Sequence, residues 1–220
     1  MNIFSSVWGR LEQCAFRQNL ASYKPLPIPS TCCYSSNQVS VVICTVDTLL
    51  ARCLKSWLSN NPLEIIIITI PEHVEKIRSV ILNAITSPED FAKINLLVSP
   101  EKGKRAQLSV GLRAARGEVL ALVDDHIMWH TDFLKGMLPC LEDESVGAVG
   151  PMIIPMIPHE RQDVNVITPW EVAAMRTAWW RNRHLKAGYA ANRWCFCLAG
   201  CSGVFRAEIL KVSKVLSITT

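Results

Sequence analysis

The stretch VSVVICTV, residues 39–46, decides the fold class, because its apolar residues run almost without interruption over the length of a strand. Continuous β-branched runs of this kind are typical of strands that are buried on both faces of a parallel sheet. An apolar stripe at helical spacing follows over residues 48–58, and Asn60-Asn61-Pro62 ends it. A strand–helix unit is therefore predicted at the start of the folded core.

The same alternation continues along the chain. The remaining predicted elements are strands over residues 63–70, 94–98, 119–123 and 146–149, and helices over residues 72–85, 104–115 and 132–141. We expect Arg116-Gly117 to cap the helix over residues 104–115. Alternating strands and helices with short connections predict an α/β fold, a parallel sheet with helices on both faces. In such sheets, ligands bind beyond the carboxyl ends of the strands.

Composition limits the class of protein. The chain has 220 residues, of which 50% are hydrophobic, and a formal net charge of +4. This mild basic excess argues against a dedicated nucleic-acid binder, and no nucleic-acid partner is expected. Nine cysteines, several of them inside apolar runs, indicate reduced thiols in an intracellular compartment. No apolar run approaches the roughly 20 residues that cross a bilayer, so no transmembrane helix is predicted.

The domain organisation is predicted from changes in composition. Residues 1–38, which include the proline-rich YKPLPIPS, are interpreted as a leader. The folded core is expected over residues 39–212, and residues 213–220 form a tail.

Asp124, Asp125 and His126 follow directly after the predicted strand over residues 119–123. Two adjacent carboxylates cost several kcal/mol each to desolvate unless a cation or a hydrogen-bond donor compensates. A divalent metal ion that holds a diphosphate is one such compensation. The alternative is that an aspartate caps the next turn and that the histidine is a solvated loop residue. The motif alone leaves both interpretations open.

Lys102, Lys104 and Arg105 lie where a predicted strand gives way to a helix, and the amino terminus of a helix is suited to anions. A solvated basic face is the alternative interpretation. Because two carboxylates follow about twenty residues later, the basic segment and a metal ion can share one pyrophosphate. The pair of motifs therefore favours a phosphate-binding site.

Residues 170–194 carry four of the seven tryptophans, interleaved with basic side chains. This composition is found in membrane-interface helices. Stacking on sugars or on single-stranded nucleic acid, and a core helix with exposed arginines, are the alternatives. Further on, Cys195, Cys197 and Cys201 match no standard zinc spacing and are interpreted as buried thiols. Residues 200–203 read as a turn where the backbone approaches another group closely.

Four motifs occur in a recognisable order, namely VSVVICTVD, KGKRAQ, GEVLALVDDHIMWHTDFL and LAGCSGVFRAEIL. Together they resemble family-2 glycosyltransferases over roughly residues 20–210, and they are most similar to fungal polysaccharide synthases of the capsular-polysaccharide or hyaluronan-synthase-like kind. The resemblance implies a GT-A-type α/β fold and a location at the cytosolic face of a membrane, with surface contact through residues 170–194. It implies a nucleotide-diphosphate-sugar donor, expected to be UDP-linked, a polysaccharide acceptor, and Mn²⁺ or Mg²⁺ as the cofactor.

The resemblance also implies roles for individual residues. The implied donor-nucleotide residues are Thr45, Asp47, Glu72, Lys104, Arg105, Asp124 and Asp125. The implied metal ligands are Asp124, Asp125 and His126, which fill the family's D-x-D motif with histidine in the third place. The implied acceptor-side residues are Trp170, Gly200, Cys201, Ser202 and Gly203.

The sequence departs from the family pattern at three points. His126 suits Mn²⁺ better than the harder Mg²⁺. Glu72 stands where an aspartate is usual. The general-base carboxylate and the Q-x-x-R-W motif, which are expected after the acceptor turn, are missing, so no catalytic residue is assigned. A truncated enzyme that binds its donor but transfers sugar poorly is therefore expected. The competing interpretations are a non-catalytic interaction module, a single-strand nucleic-acid binder and a nucleotidyltransferase.

Overall fold

The computed structural model describes residues 3–25, 32–157, 161–163, 165–192, 198 and 200–211. Contacts divide the chain into two compact units. Residues 28–151 and 199–220 form one, here called the sheet unit, and residues 1–27 and 152–198 form the other, here called the helical unit. The helix Ile3–Ser22 of the predicted leader thus groups with residues 152–198, while the predicted boundary at residue 38 stays a prediction.

The sheet unit is built on six strands in the part of the chain that the structure describes. They are β1 Val39–Cys44, β2 Glu64–Thr69, β3 Ile94–Val98, β4 Val119–Val123, β5 Ala148–Val149 and β6 Ser202–Arg206. Their order in the sheet is β3-β2-β1-β4-β6-β5. Strands β1 to β4 pair in parallel, whereas β6 runs antiparallel to both β4 and β5. The predicted mostly parallel sheet is confirmed, and β6 is a strand that the sequence pattern did not predict.

The described helices are α1 Ile3–Ser22, α2 Ala51–Leu58, α3 Val74–Ala84, α4 Pro88–Ala92, α5 Lys104–Ala114, α6 Phe133–Met137, α7 Pro169–Asn192 and α8 Ala207–Leu210. Helix α2 begins three residues later than predicted, because Leu50 has extended backbone angles. The helix predicted over residues 132–141 divides into α6 and the 3-10 turn Leu138–Leu141. Pro139 lies at this junction, and its missing N–H does not support a continuous α-helix.

Alternate residues of the strands face two apolar layers. On one face, Val41, Ile43 and Ile65 pack with Trp57 of α2 in a fully buried cluster. On the other face, Val42, Ile66 and Ile68 pack with Leu112 of α5. Successive side chains of a strand point to opposite faces of the sheet. A continuous apolar run in a strand therefore contributes side chains to both layers. The predicted helices on both faces of the sheet are confirmed, and with them the α/β class.

Gly117 does not cap α5, contrary to the prediction from Arg116-Gly117. The helix ends at Ala114, and its capping residue Ala115 has extended backbone angles. A Cβ at Gly117 would lie 2.5 Å from the carbonyl oxygen of Gln38 and 2.6 Å from the backbone nitrogen of Ser40. Glycine is therefore required here because the turn before β4 packs directly on the backbone at the start of β1.

In the helical unit, α1 packs against α7. The Phe16 and His184 rings have centroids 4.5 Å apart, and Tyr23 meets Tyr189 edge-on at 6.3 Å. Helix α7 begins with a capping box, in which Thr168 and Glu171 exchange hydrogen bonds. Among the described helices, none combines the length and the apolar character that crossing a bilayer requires.

Candidate functional site

The strand order reverses between β1 and β4, which places a topological switch point at their carboxyl ends. The chain builds outward from β1 through β2 to β3, and then returns to the other side of β1 as β4. Thr45 follows β1, and the sequence Asp124-Asp125-His126 follows β4. Open α/β sheets bind ligands in the crevice at such a point. Both predicted segments therefore meet at the edge of the sheet where a ligand is expected.

Asp125 joins the loops that follow these two strands. Its Oδ2 accepts a hydrogen bond from Thr45 Oγ1 at 2.6 Å and another from Thr48 Oγ1 at 2.5 Å, and its Oδ1 lies 3.1 Å from His126 Nδ1. Burial alone would raise the pKa of Asp125, but these three hydrogen bonds outweigh it and hold the pKa below its usual value. Asp125 is thus an ionised and buried carboxylate that accepts three hydrogen bonds from neighbouring side chains.

His126 takes its orientation from Asp125. An ionised carboxylate only accepts hydrogen bonds, so His126 Nδ1 is assigned as the donor. This tautomer leaves Nε2 with the lone pair that a metal ion needs. The His126 side chain is 60% exposed, so the imidazole is accessible from solvent.

Asp124 links the acidic cluster to the basic segment. Its Oδ1 lies 2.5 Å from Nζ of Lys104, the first residue of α5, and its backbone N–H donates to the carbonyl oxygen of Cys201 at 2.9 Å. The Asp124 side chain is 22% exposed and that of Lys104 is 58% exposed. The predicted proximity of the basic segment and the carboxylates is therefore present at this pair.

Gln107 and Cys44 complete the inner wall of the site. Gln107 is buried in α5, and its Nε2 donates to the carbonyl oxygens of Thr45 at 2.9 Å and Ile68 at 3.2 Å. Burial raises the pKa of the Cys44 thiol to about 12, so it stays neutral. Gln107 thus gives the Thr45 carbonyl a partner and adds a second hydrogen bond to the Ile68 carbonyl, which also accepts from the backbone N–H of Thr45 at 2.9 Å.

The loop after His126 is anchored on α2 and the residues that follow it. Trp57 Nε1 donates to the carbonyl oxygen of Ile127 at 2.9 Å. Asn60 donates to the carbonyl oxygen of His130 at 2.9 Å and accepts from the backbone N–H of Leu134 at 2.9 Å. These contacts hold the segment after the acidic cluster in one backbone path.

The turn at residues 200–203 lies beside the end of β4. Ser202 pairs with Val123, and its buried hydroxyl accepts a hydrogen bond from Trp129 Nε1 at 3.3 Å. Gly203 lies under the Phe205 ring, where a Cβ would come within 2.9 Å of a ring carbon. Gly200 is exposed, whereas Cys201 binds Asp124 through its backbone. The close backbone approach predicted for this turn is therefore present.

Other predicted site residues do not join this cluster of hydrogen bonds. Asp47 is half exposed and lies 3.7 Å from Lys76. Glu72, in the 3-10 turn Pro71–His73, and Arg105 are exposed. Trp170 belongs to the helical unit and is 82% exposed. The predictions for Cys195 and Cys197, and for residues 193–194 of the tryptophan-rich segment, lie outside the described residues.

Sequence reasoning missed two side chains of the site, Thr48 and Gln107. The helical stripe predicts Thr48 at the start of a helix, yet its hydroxyl donates a hydrogen bond to Asp125. Gln107 is four residues before Gly111, which packs directly on the sheet at Ile68. Residues four apart lie on one helical face, so this spacing was a signal that Gln107 points to the sheet.

The side chains present fit a metal ion only in part. Within the described ranges, no three His, Cys, Asp or Glu side chains group closely enough to hold one. Both oxygens of Asp125 already accept hydrogen bonds, two at Oδ2 and one at Oδ1, which uses most of the acceptor capacity of this carboxylate. Asp124 and His126 offer a carboxylate oxygen and an imidazole nitrogen, donor atoms that suit Mn²⁺.

Residues 40–213 match the model of the family described as Glycosyl transferase family 2. The chain belongs to glycosyltransferase family 2. This confirms the family that the four ordered motifs indicated, while the polysaccharide-synthase kind stays a prediction.

Curated relatives of this family-2 chain come from fungi. An NDP-glycosyltransferase of Aspergillus luteorubrus is 36% identical over 209 residues, which cover 93% of this chain and 50% of the relative. Type 2 glycosyltransferases of Gibberella zeae and Pyricularia oryzae are each 27% identical, covering 86% of this chain and 35% and 38% of theirs. The chain thus spans about half, or less, of the length of these relatives.

A solved structure shares the fold of this family-2 chain. It is a mannosyltransferase from Pyrobaculum calidifontis in complex with GDP-mannose and Mn²⁺. It aligns with a TM-score of 0.65 at 20% identity, over 90% of this chain and 53% of that one. At this identity the likeness shows the fold alone, and the GT-A-type fold is confirmed.

Proposed function

We propose that this chain forms the donor-binding part of a glycosyltransferase that uses a nucleotide-diphosphate sugar together with a divalent metal ion. The observation that carries the proposal is the contact between Asp124 and Lys104 at the switch point of the sheet. It places a carboxylate suited to a metal ion beside an ammonium group suited to a phosphate. The mannosyltransferase of similar fold was solved with GDP-mannose and Mn²⁺, which supports this class of ligand.

Asp124 and His126 Nε2 would hold the metal ion, and Mn²⁺ suits this mixed oxygen and nitrogen pair better than Mg²⁺ does. When bound, such an ion neutralises the negative charge that develops on the leaving diphosphate. Asp125 orients His126 through Nδ1, as carboxylates commonly do for histidine ligands of metals. Asp125 is therefore proposed as a positioning residue in place of a direct ligand.

Lys104 and Arg105 would contact the diphosphate. Both belong to the first turn of α5, where backbone N–H groups also favour an anion. The Lys104–Asp124 ion pair is largely exposed on the lysine side, and pairs of this kind contribute only about 0–1 kcal/mol to stability. Exchanging it for contacts with a metal ion and a diphosphate therefore costs little.

The finer roles remain part of the proposal. Thr45 acts through its bond to Asp125, since it is buried, while the exposed Asp47 and Glu72 are proposed to face the nucleoside. Residues 200–203 are proposed for the acceptor side, next to Asp124, and Trp170 is kept as an acceptor-side prediction. A polysaccharide acceptor, transfer of a hexose and association with a membrane surface are likewise proposals. No residue of this chain is assigned as the general base.

The proposal is tested by titrating the folded chain calorimetrically with UDP and with GDP in the presence of Mn²⁺. We expect binding of at least one nucleotide, and about tenfold or greater weakening in Asp124→Asn and in His126→Ala. Asp132→Asn is the matched control, because Asp132 is an exposed aspartate of the same loop. If the folded protein binds neither nucleotide, or if the control weakens binding as much as Asp124→Asn does, the donor site is wrongly assigned.

A further inference from the structure

The helical unit exposes large apolar side chains to an unusual extent. Among the described residues, most of the large exposed apolar side chains belong to this unit, and Ile154, Trp170 and Met156 are exposed by 81%, 82% and 63%. Isolated apolar residues on a surface need no explanation, but a concentration of them in one part of a protein indicates an interaction site.

Charge is distributed unequally between the two units. The helical unit carries nine Lys and Arg against four Asp and Glu, whereas the rest of the chain carries fourteen against fifteen. The positive net charge of the protein therefore comes from the unit that exposes the apolar side chains. A partner surface for this unit is expected to be both anionic and able to accept apolar groups.

One face of α7 combines both properties. Val172, Met175, Trp179, Arg183 and Lys186 recur at intervals of three or four residues and so share a side of the helix. The apolar members come first along the helix and the two cations follow. This arrangement resembles the ordering of apolar anchors and basic groups at a lipid interface.

A cavity of about 550 Å³ opens along this face, between α1, α7 and residues 152–155. Six of its lining residues form what is here called the docking face: Met152, Ile154, Met175, Trp179, Arg183 and Lys186. The Asn182 amide donates to the carbonyl oxygen of Ile153 at 3.0 Å and so fastens residues 152–155 to α7. The volume lies within the range of sites that enclose a small organic group.

The two cations of the docking face are held by aromatic rings. The Arg183 guanidinium carbon lies 4.4 Å from the centroid of the Trp179 ring, and Lys186 Nζ lies 5.5 Å from that of Tyr23. Nε of Arg183 is buried and has no hydrogen-bond partner among the described residues. Because Nε has no accessible surface, the groups that suit a phosphate are the guanidinium charge of Arg183 and the ammonium of Lys186, both of which line the cavity.

We propose that the docking face binds the surface of an anionic lipid bilayer, with a lipid phosphate at Arg183 and Lys186 and with Met152, Ile154 and Trp179 in the interfacial region. Tryptophan prefers this depth, and long basic side chains reach from it to the headgroups. Electrostatic attraction to anionic lipids strengthens binding about fivefold for each basic residue near the surface. The inference deepens the proposed association with a membrane surface and rests on it. It does not rest on the donor site, because the docking face belongs to the helical unit and the donor residues belong to the sheet unit.

Co-sedimentation of the full chain with phosphatidylcholine vesicles, prepared with or without phosphatidylserine, tests the proposal. We expect binding only when phosphatidylserine is present, and about 25-fold weaker binding for Arg183→Gln combined with Lys186→Gln. The matched control is Lys55→Gln combined with Arg113→Gln, which removes two exposed positive charges from the sheet unit. If the control variant loses vesicle binding to the same extent, the net charge of the protein alone explains the binding. That result would overturn the docking face.

Ile154→Asp is a second variant whose folding is not at risk, because Ile154 is largely exposed. We expect it to weaken vesicle binding, whereas Leu82→Asp, at an exposed position of α3, leaves it unchanged. The proposal is overturned if the wild-type chain fails to bind the anionic vesicles, if Ile154→Asp binds as well as wild type, or if the double variant loses binding to a single-stranded oligonucleotide but retains binding to vesicles.

Nucleotide titration separates this proposal from the proposed function. The Arg183, Lys186 double variant is expected to bind UDP or GDP with Mn²⁺ as the wild-type chain does. Loss of vesicle binding with nucleotide binding intact would support a separate docking face. Vesicle binding by a chain that binds no nucleotide would overturn the donor site and leave the docking face standing.

Discussion

Thr45 Oγ1 donates a hydrogen bond of 2.6 Å to Oδ2 of Asp125, and this contact joins the residue after β1 to the loop after β4. The two strands are neighbours in the sheet, and the strand order reverses between them. The contact therefore fixes the two loops that border the crevice where a ligand is expected. It also separates the roles of two adjacent carboxylates, since Asp125 is used within the protein and Asp124 lies at the edge of the site.

The first prediction concerns this contact. Thr45→Val should lower the free energy of unfolding by about 1.5–3 kcal/mol, because it breaks a buried hydrogen bond to a charged group. Asp125→Ala should lower it further, because it also removes the hydrogen bonds from Thr48 and His126. In a double-mutant cycle the two losses should not add, since both variants remove the same bond. Urea unfolding measures all four proteins, with Asp132→Asn as an exposed control. Strict additivity would show that the two side chains do not interact.

The second prediction concerns Lys104. Lys104→Gln should change the free energy of unfolding by less than about 1 kcal/mol, since its ion pair with Asp124 is largely exposed. The same variant should weaken binding of a nucleoside diphosphate about tenfold, because it removes a charge-assisted hydrogen bond. Calorimetric titration measures the affinity. Lys102→Gln, an exposed lysine two residues earlier, is expected to bind normally, and an equal effect there would contradict a specific role for Lys104.

The third prediction concerns Gly117. A methyl group at this position meets the backbone of Gln38 and Ser40, which cannot move aside as a flexible side chain can. Gly117→Ala should therefore lower the free energy of unfolding by about 3 kcal/mol or more. In the matched control Gly136→Ala, in α6, the added group meets nothing within 4 Å. The free energy of unfolding of that variant should rise by about 0.5–1 kcal/mol, because alanine has a higher helix propensity than glycine.

The fourth prediction is a pH dependence at the start of α7. Bidentate hydrogen bonds from Arg161, with further bonds from Thr168, lower the pKa of Glu171 from 4.5 to about 2. A lowered pKa in the folded state stabilises the protein above pH 4.5, and this contribution is lost as the pH falls toward 2. The advantage of wild type over Glu171→Gln, followed by thermal melting of helical circular dichroism, should shrink across that interval.

A control variant tests whether this pH effect is specific to Glu171. Glu144→Gln replaces an exposed glutamate of the sheet unit and should show no comparable change between pH 4.5 and 2. A constant difference between wild type and Glu171→Gln over the whole interval would contradict the lowered pKa.

The candidate donor residues can be placed from the sequence because each follows a predicted strand. The strand over residues 94–98 was predicted at its observed bounds, and the one over residues 119–123 likewise. Strand β4 is recognisable because its near-continuous burial is matched by a run of apolar residues, whereas the edge strand β3 is apolar in sequence but only partly buried. Lys104 and Asp124 could therefore be assigned to one edge of a sheet before any pairing was known.

Strand β6 and the burial of Asp125 could not be predicted in the same way. Residues 200–203 read locally as a turn, yet Ser202 and Gly203 begin a strand because β4 is available to pair with them. The adjacent carboxylates of Asp124 and Asp125 look equivalent in the sequence. Only the neighbouring position of β1 brings the Thr45 and Thr48 hydroxyls to one of them.

The amino-acid sequence by itself determined the α/β class, the succession of buried strands and the chemical groups at their ends. The tertiary structure decided which strands are neighbours, that α1 packs with α7, and which of two adjacent carboxylates is held by the threonine hydroxyls. The physical reason is the range of the forces involved. The apolar pattern of a segment depends only on that segment and indicates how it is buried. Strand pairing, close backbone contacts and hydrogen bonds between side chains depend on residues that are distant in the chain.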